Sequence, residues 1–352
     1  MTTPQQPPKA GSNGEGTAPD LSNPAAIARA RQAIEEEALR MQQRGIGTPD
    51  YFGLMDLHPD SQRVFFIHIP KCGGTSIRKI LVHRNRCAPV PLPGSGPVDQ
   101  SIAYMAHSCP PRTPQGELLR SYLADDAADD RQQRFLRVFA GYQLLQNPRR
   151  MFILGHKQAR ELVAYYRPDK DLFFTTVRDP AEILKSMVAY RVSHTLKNDK
   201  RPDSVNLLRY LQMDIDSFTD AVKTEPRTLA ERILQKDSPC MAAFLSFDPT
   251  PTHAGVMKSL KANKVFIAHM SEQSQMLTAL FGEQTAHPHE NSSHTRQGLA
   301  AEFTAMIPME WTSPFVDTQS QQVYRQLQES GVIGYWENGG TKAGYLELLR
   351  NF

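Results

Sequence analysis

The chain has 352 residues, 40% of them hydrophobic, so it is long enough to bury a substantial core in one large domain or two small ones. Its formal net charge of +3 argues against a general nucleic-acid binder, which normally carries a larger and clustered basic excess. Its four cysteines show neither a C-x-x-C pair nor the spacing of a metal site, so we expect no bound metal and a reducing compartment. No stretch has the ~20 consecutive apolar residues of a membrane span, and the N-terminus lacks the pattern of a signal peptide.

The first elements are a tail and a helix. Residues 1–24 are rich in Pro, Gly, Ser and Thr, which predicts a disordered tail. A helix is predicted from Asn23 and Pro24 to Gly45, within a segment 25–60 that we interpret as an N-terminal helix and linker. Its apolar residues recur along one face: Ile27, Ala30, Ile34, Ala38 and Met41. This face is expected to pack on the main domain or on a second subunit, which would make the protein a homo-oligomer.

The stretch "FFIHIPKCGGTSIRKIL", residues 65–81, combines an apolar run with a glycine-rich turn. Residues 64–69 are mostly β-branched or aromatic and predict a strand buried on both faces. A helix is expected to follow from Ser76.

The turn between that strand and helix has the composition of a phosphate cradle. Gly73 and Gly74 allow the backbone to turn tightly and to approach a ligand. Thr75 and Ser76 place hydroxyl groups beside the free amides of the predicted helix N-terminus, and Lys71 adds a positive charge.

Other interpretations of this turn differ in the role of the lysine and of the cysteine. A Walker A loop places its lysine after the glycines, whereas Lys71 precedes them, so that interpretation fails. A cysteine-dependent phosphatase needs Cys, five residues and then Arg, a spacing that Cys72 and Arg78 satisfy, although the residues around Cys72 depart from such loops. A simple strand-to-helix turn is the third interpretation. Beside Lys71 and a helix N-terminus, the thiol of Cys72 is expected to be acidified, which would make it sensitive to oxidation. The interpretation that we favour for Cys72 is nevertheless a small residue that the turn tolerates.

A second segment, "DLFFTTVRDPAEILKSMVAY" at residues 171–190, repeats the strand, loop and helix layout. Residues 172–177 predict a strand and residues 181–190 a helix. Pro180 fits the first helical position, and Asp179 before it is a suitable cap.

Arg178 and Ser186 flank this second turn. Arg178 lies at the end of the predicted strand, and Ser186 lies two helical turns further on. Both could hold one phosphate lying across the helix, because a guanidinium group binds phosphate with paired hydrogen bonds.

Two later segments predict further strands. Residues 151–166 give an apolar strand that ends in Gly155 and His156 before a helix. Residues 264–282 give a fourth strand, with Ser271 as the expected cap of the helix that follows.

Strands that alternate with helices imply a parallel sheet with helices on both faces and ligands at the carboxyl ends of its strands. Lys71, His156 and Arg178 all follow predicted strands. The sequence therefore predicts that these three side chains share one site.

The two turns also resemble those of a known family. "HIPKCGGTSI" resembles the "IPKTGGTS" loop of the carbohydrate-type sulfotransferases that use 3′-phosphoadenosine-5′-phosphosulfate (PAPS), with Cys72 where threonine is usual. "RDP…S", with eight residues from Arg178 to Ser186, resembles the signature with which this family holds the 3′-phosphate of the nucleotide. The likeness is to heparan sulfate 2-O- and 6-O-sulfotransferases of a bacterial type and covers about residues 63–328. It implies an α/β fold of the P-loop-like nucleotide-binding sulfotransferase kind, with a central parallel sheet flanked by helices.

The resemblance implies roles for particular residues. Lys71 and His156 would be catalytic: Lys71 would stabilise charge on the bridging oxygen of the donor, and His156 would be the general base that takes the proton of the acceptor hydroxyl. The fallback bases are His83, His107 and Glu182. No metal or covalent intermediate is required, and the product would be adenosine 3′,5′-bisphosphate (PAP). The expected cofactor contacts are Lys71, Cys72, Gly73, Gly74, Thr75, Ser76, Arg178, Ser186, Asn291 and Ser292.

The expected domain organisation follows from the same likeness. Residues 61–330 would form the sulfotransferase domain, and residues 331–352 a C-terminal tail. An insertion at 87–150 begins with a proline-rich loop, continues through helices around "ADDAADD" and is the expected site of acceptor recognition.

The function predicted from the sequence is transfer of a sulfuryl group from PAPS to a hydroxyl of a carbohydrate or glycosylated metabolite, by a cytoplasmic protein with no nucleic-acid partner. Two alternatives stay open. One is a phosphatase that uses Cys72 and Arg78. The other is a non-catalytic nucleotide-binding protein that uses its N-terminal helix to bind partners.

Overall fold

The computed structural model describes residues 21–43, 61–81, 87–91, 113–124, 131–146, 150–154, 156–197, 202–282 and 298–351. Several predictions lie outside these ranges: most of the predicted tail 1–24, and the residues His83, His107, Gly155, Asn291 and Ser292.

Five strands form one parallel sheet in the described part of the chain. They are β1 (Gln62–Ile67), β2 (Cys87–Pro91), β3 (Arg150–Leu154), β4 (Leu172–Val177) and β5 (Phe266–His269). Their order is β2-β3-β1-β4-β5, and every neighbouring pair is parallel. All six residues of β4 and five of the six in β1 are buried, as expected for strands covered on both faces. The predicted α/β class with a central parallel sheet flanked by helices is confirmed.

The central strand β1 fixes the position of the first turn. It pairs with β3 from Gln62↔Arg150 and with β4 from Val64↔Leu172. β4 has the predicted bounds, whereas β1 begins and ends two residues before the predicted 64–69. Ile69 therefore belongs to the turn, where it stays buried.

Sixteen α-helices occur among the described residues. They are α1 (Pro24–Gln43), α2 (Gly74–Lys79), α3 (Pro114–Leu123), α4 (Arg131–Gln146), α5 (Ala159–Leu162), α6 (Pro180–Leu196), α7 (Pro202–Leu211), α8 (Ile215–Thr224), α9 (Pro226–Lys236), α10 (Met241–Leu245), α11 (His253–Ala262), α12 (Gln273–Phe281), α13 (Leu299–Met306), α14 (Met309–Thr312), α15 (Thr318–Glu329) and α16 (Lys342–Asn351). Short 3-10 turns cover Val163–Tyr165, Met270–Glu272 and Ser313–Phe315. None of these helices combines the length and apolarity that crossing a bilayer requires.

Helix α1 forms as predicted. The Asn23 carboxamide accepts a hydrogen bond from the Ala26 amide at 2.8 Å and so caps its first turn. Ile34, Ala38 and Met41 are buried in the same core as the sheet, and α1 lies against α4. The apolar face is thus covered by this chain itself, and the homo-oligomer stays a prediction.

The start of the predicted insertion 87–150 differs from the expected proline-rich loop. Its first residues form β2, at the edge of the sheet, and Pro89 and Pro91 both lie in it. An edge strand tolerates proline because one of its sides needs no backbone donor. The loop prediction was wrong here because the pairing of β2 with β3 is not visible in local sequence. Helices α3 and α4 flank the acidic stretch, as predicted, and acceptor recognition by this region stays a prediction.

The hydrophobic interior has two clusters that meet along α6. The main cluster surrounds the sheet. The second joins the middle of α6 to helices α7, α8, α9 and α13. Because α6 packs in both clusters, its position relative to the sheet edge is firmly determined.

Residues 331–352 were expected to be a C-terminal tail, but side chains from the described part of this segment, 331–351, pack into the main core. Trp336 donates its indole N–H to the Ile267 carbonyl at 2.7 Å, and the Tyr345 hydroxyl accepts from the Ile267 amide at 2.9 Å. Both aromatic side chains are buried. They cover the open edge of β5, which no further strand pairs in the described residues.

Candidate functional site

Three turns meet at the carboxyl edge of the sheet. His156 follows β3, Lys71 follows β1 and Arg178 follows β4, and these three strands are neighbours. The chain leaves β1 toward β2 and β3 but leaves β4 toward β5, so the strand order reverses between β1 and β4. Open α/β sheets bind ligands in the crevice at such a reversal. Lys71 and Arg178 follow the two strands on either side of this reversal, so the three residues lie at the carboxyl ends of neighbouring strands as predicted; that they share one site stays a prediction.

The turn after β1 is tight because two of its residues adopt left-handed backbone conformations. Lys71 has a φ of 68° and Gly73 a φ of 81°. A left-handed conformation costs a residue with a side chain ~1–2 kcal/mol, so the surrounding contacts must hold Lys71 in place. Helix α2 starts at Gly74, two residues before the predicted Ser76. Thr75 and Ser76 therefore lie inside its first turn, where Ser76 is buried.

Gly73 and Gly74 each lie close to the side chain of another residue. The Gly73 carbonyl accepts a hydrogen bond from the Gln273 side chain at 3.5 Å, and a Cβ at Gly73 would lie 2.9 Å from the same amide nitrogen. A Cβ at Gly74 would overlap the imidazole ring of His68. The positive φ of Gly73 and the ring beside Gly74 therefore favour glycine at both positions, whether or not a ligand binds.

Cys72 corrects a prediction made from sequence. Its side chain is fully buried, and burial raises the pKa of its thiol to about 12 despite the opposing positive charges of Arg178 and Lys71. The expected acidified thiol was wrong because desolvation outweighs the nearby cations. The Cys72 amide donates to the Ile69 carbonyl and its carbonyl accepts from the Thr176 hydroxyl, so the main chain of Cys72 serves the fold.

Lys71 has an aromatic partner that the sequence interpretation missed. Its ammonium nitrogen lies 4.2 Å from the centroid of the Tyr190 ring, a cation–π contact. The signal was present in the spacing, because Tyr190 follows Ser186 by four residues and therefore lies on the same face of α6.

One face of α6 links the two cations. Arg178 forms a 2.6 Å ion pair with Glu182 through its Nε atom. Glu182, Ser186 and Tyr190 follow one another at four-residue steps, so Ser186 lies between the Arg178 pair and the tyrosine that holds Lys71. Glu182, named as a fallback base, is thus the partner of Arg178.

Helix α6 begins at the residue that the sequence pattern predicted. The Asp179 carboxylate accepts from the Ala181 amide at 2.8 Å, and Pro180 is the first helical residue. The helix continues to Leu196, beyond the predicted end at Tyr190, because its second half packs against the helical cluster.

His156 is an exposed residue whose ring is fixed by His68. Its Nδ1 lies 3.3 Å from the His68 carbonyl oxygen, and the two rings stack with centroids 3.9 Å apart. Although the residue is exposed overall, desolvation by the surrounding atoms lowers the pKa of His156, and Lys71 lowers it further, while the bond to the His68 carbonyl opposes both. The imidazole is therefore neutral near pH 7, the form that a general base needs.

Tyr324 on α15 is another residue that the sequence interpretation missed. Burial raises its phenol pKa to about 12, with further upward contributions from Asp179 and Glu182 and an opposing one from Arg178. Tyr324 is thus within range of the charges of the Arg178–Glu182 pair, and its helix α15 packs against α6. Tyr324 is far from Arg178 and Glu182 in the sequence, so no local pattern predicted that it would be near them.

The end of β5 shows a different cap from the one predicted. The imidazole of His269 accepts a hydrogen bond from the Ser271 amide, while the His269 amide donates to the Glu272 carboxylate. Ser271 lies inside the 3-10 turn rather than capping a helix, so the prediction of Ser271 as a cap was wrong. Within the described ranges no three His, Cys, Asp or Glu side chains gather as metal ligands.

No family model, no curated protein and no solved structure matches the chain.

Proposed function

We propose that the protein is a PAPS-dependent sulfotransferase that transfers a sulfuryl group to a hydroxyl of a carbohydrate or glycosylated metabolite. The observation that carries the proposal is the placement of Lys71 and Arg178 on the two sides of the crevice between β1 and β4. Two separated cations facing one crevice suit a ligand with two phosphate groups. The resemblance of both turns to the sulfotransferase motifs supports PAPS as that ligand and a P-loop-like form of the α/β sheet.

Each end of the donor has a proposed set of contacts. Lys71, Thr75 and the amides that open α2 would bind the 5′-phosphosulfate. Arg178 would bind the 3′-phosphate through the guanidinium nitrogens that Glu182 does not use, and Ser186 lies on the same face of α6.

The order of the strands supports one direction for the proposed donor. His156 lies on the β3 side of Lys71, and Arg178 lies on its β4 side. The acceptor therefore approaches from the β3 side, and the adenosine extends toward β5. Beyond β5, a groove of about 760 Å³ between α12 and residues 336–342 is lined by Thr278, Trp336 and other side chains and has the size of a small-molecule site.

The chemical step follows from these positions. As the acceptor oxygen attacks the sulfur atom, Nε2 of His156 takes its proton and the bond from sulfur to the bridging oxygen breaks. The departing PAP carries the electron pair of that bond on its phosphate. The ammonium group of Lys71 stabilises this developing charge, and no covalent intermediate forms.

The phosphatase alternative lacks an activated nucleophile. A thiol with a pKa of about 12, buried in the core, supplies almost no thiolate at neutral pH. A non-catalytic nucleotide-binding protein would use the same two cations, Lys71 and Arg178, to bind the nucleotide. It would differ only in that it sulfates no acceptor.

Calorimetric titration with PAP and a labelled-sulfate screen of glycan acceptors test the proposal. Lys71→Ala and Arg178→Ala should each weaken PAP binding by ~2 kcal/mol, about 30-fold, because each removes a charge-assisted contact. Lys258→Ala, at an exposed position on α11, is the matched control and should leave affinity unchanged. Native protein that fails to bind PAP would refute the proposal. Binding without sulfation of any acceptor would favour the non-catalytic alternative.

A further inference from the structure

A stack of rings leads from the core to His156. The ring of Phe66 lies 5.0 Å from that of Phe174 inside the core, and His68 stacks on Phe66 at 5.1 Å with an interplanar angle of 22°. His156 stacks in turn on His68 at 3.9 Å and 24°. The outermost ring of this stack is the proposed general base, so its plane is set by the ring of His68.

The main-chain carbonyl of His68 also contacts the imidazole of His156 and determines its tautomer. Nδ1 of His156 lies 3.3 Å from the His68 carbonyl oxygen, which can only accept a hydrogen bond. Nδ1 therefore carries the proton, and the lone pair is on Nε2. One residue thus determines both the plane of the His156 ring and its tautomer.

Gly74 leaves the space that the His68 ring occupies. A Cβ at Gly74 would overlap the imidazole ring of His68, so the ring lies directly against the backbone at the start of α2. No positive φ is involved at Gly74. Its need for glycine comes from the space that the ring occupies.

Charges near His68 favour a neutral ring. Burial is the main cause that holds the pKa of His68 well below its usual value, and His156, Arg78 and Lys71 lower it further. A neutral ring can stack closely on the second imidazole without repulsion between two cations.

We propose that His68 is a positioning residue, which holds His156 in the plane and tautomer that present Nε2 to an acceptor, and that Gly74 leaves the room that its ring needs. The catalytic consequence rests on the proposed sulfotransferase function. The geometric part does not, and it can be measured on the full-length protein without substrate.

Nitrogen-15 NMR of the histidine side chains reads the tautomer directly, and a His156→Gln variant identifies the signal of His156. The native protein should show His156 protonated at Nδ1. His68→Phe keeps a flat ring in the stack and should preserve this tautomer. His68→Ala keeps the carbonyl but removes the ring that holds the imidazole of His156 against it, so that imidazole should rotate away from the carbonyl and give a mixture of the two neutral tautomers; thermal unfolding verifies that the variant is folded.

Kinetics provide the second measurement. His68→Ala should lower kcat about tenfold with the KM for PAPS unchanged, because it disturbs the base and not the donor contacts. His68→Phe should stay within about threefold of the native kcat. An unchanged tautomer in His68→Ala, or Nε2 protonation in the native protein, would overturn the proposal. If the tautomer changes as expected but no acceptor is sulfated, the positioning role stands and the proposed function fails.

Discussion

At the residue scale, neighbouring side chains in the turn after β1 have opposite environments. The left-handed backbone of Lys71 brings its ammonium group to the face of Tyr190, while Cys72, the next residue, is enclosed in the core. The presence of a cysteine at position 72, where the loop that it resembles usually has threonine, therefore says little about chemistry at the thiol. A small side chain that fits the core is what the position requires.

Alkylation of Cys72 should be very slow in the folded protein. At pH 8, a thiol with a pKa of about 12 is ionised in roughly one molecule in ten thousand, and its burial blocks the reagent as well. Mass spectrometry of the peptide that contains Cys72, after iodoacetamide treatment with and without denaturant, measures the difference. Equal rates in the two conditions would contradict the burial and the raised pKa.

The sequence predicted the positions of Lys71 and Arg178 but not their surroundings. Each follows a local pattern of strand, turn and helix, and such a pattern fixes which end of the sheet a residue occupies. The environment of Cys72 and the contacts of His68 and Tyr324 depend on packing between segments that are distant in the chain. No local pattern contains that information.

At the element scale, the two turn-and-helix units differ in how their helices begin. Helix α2 has six residues and starts after Gly73 without a side-chain cap, whereas α6 has 17 residues and a capping carboxylate at Asp179. The start of α6 was predictable because aspartate and proline are local signals. The start of α2 and the strand β2 were misjudged because tertiary contacts decide them.

Loss of the Asp179 cap should affect both stability and the site. Asp179→Ala should lower the free energy of unfolding by ~1 kcal/mol, measured by urea denaturation. It should also weaken PAP binding several-fold, because the turn that it fixes carries Arg178. Asp214→Ala removes an equivalent cap, which accepts from the Ser217 amide at 2.7 Å at the start of α8, and is the matched control. It should cost similar stability without affecting PAP, and equal effects on binding would contradict a local role for Asp179.

At the scale of the whole molecule, the C-terminal segment completes the sheet. Trp336 and Tyr345 satisfy the main-chain groups of Ile267 on the open side of β5. The sequence interpretation ended the domain at residue 330 because the family likeness ended there. The structure instead places residues near the C-terminus in the main core, where they hold the strand that leads into α12.

Glu272 is the residue that joins β5 to this C-terminal segment. Its carboxylate is 1% exposed and accepts hydrogen bonds from the amides of His269 at 2.9 Å, Trp336 at 3.0 Å and Glu337 at 3.2 Å. Gln273, the next residue, contacts Gly73 in the turn after β1. The same connection therefore supports the edge of the sheet and one side of the proposed site.

Glu272→Ala should lower the free energy of unfolding by about 3 kcal/mol, because three main-chain donors would be left without their common acceptor in a water-poor environment. Urea denaturation followed by circular dichroism measures the loss. Glu337→Ala, which removes an exposed carboxylate in the same segment but leaves its amide in place, should change stability by less than about 0.5 kcal/mol. Equal losses in the two variants would mean that the carboxylate of Glu272 does not join the C-terminal segment to the sheet.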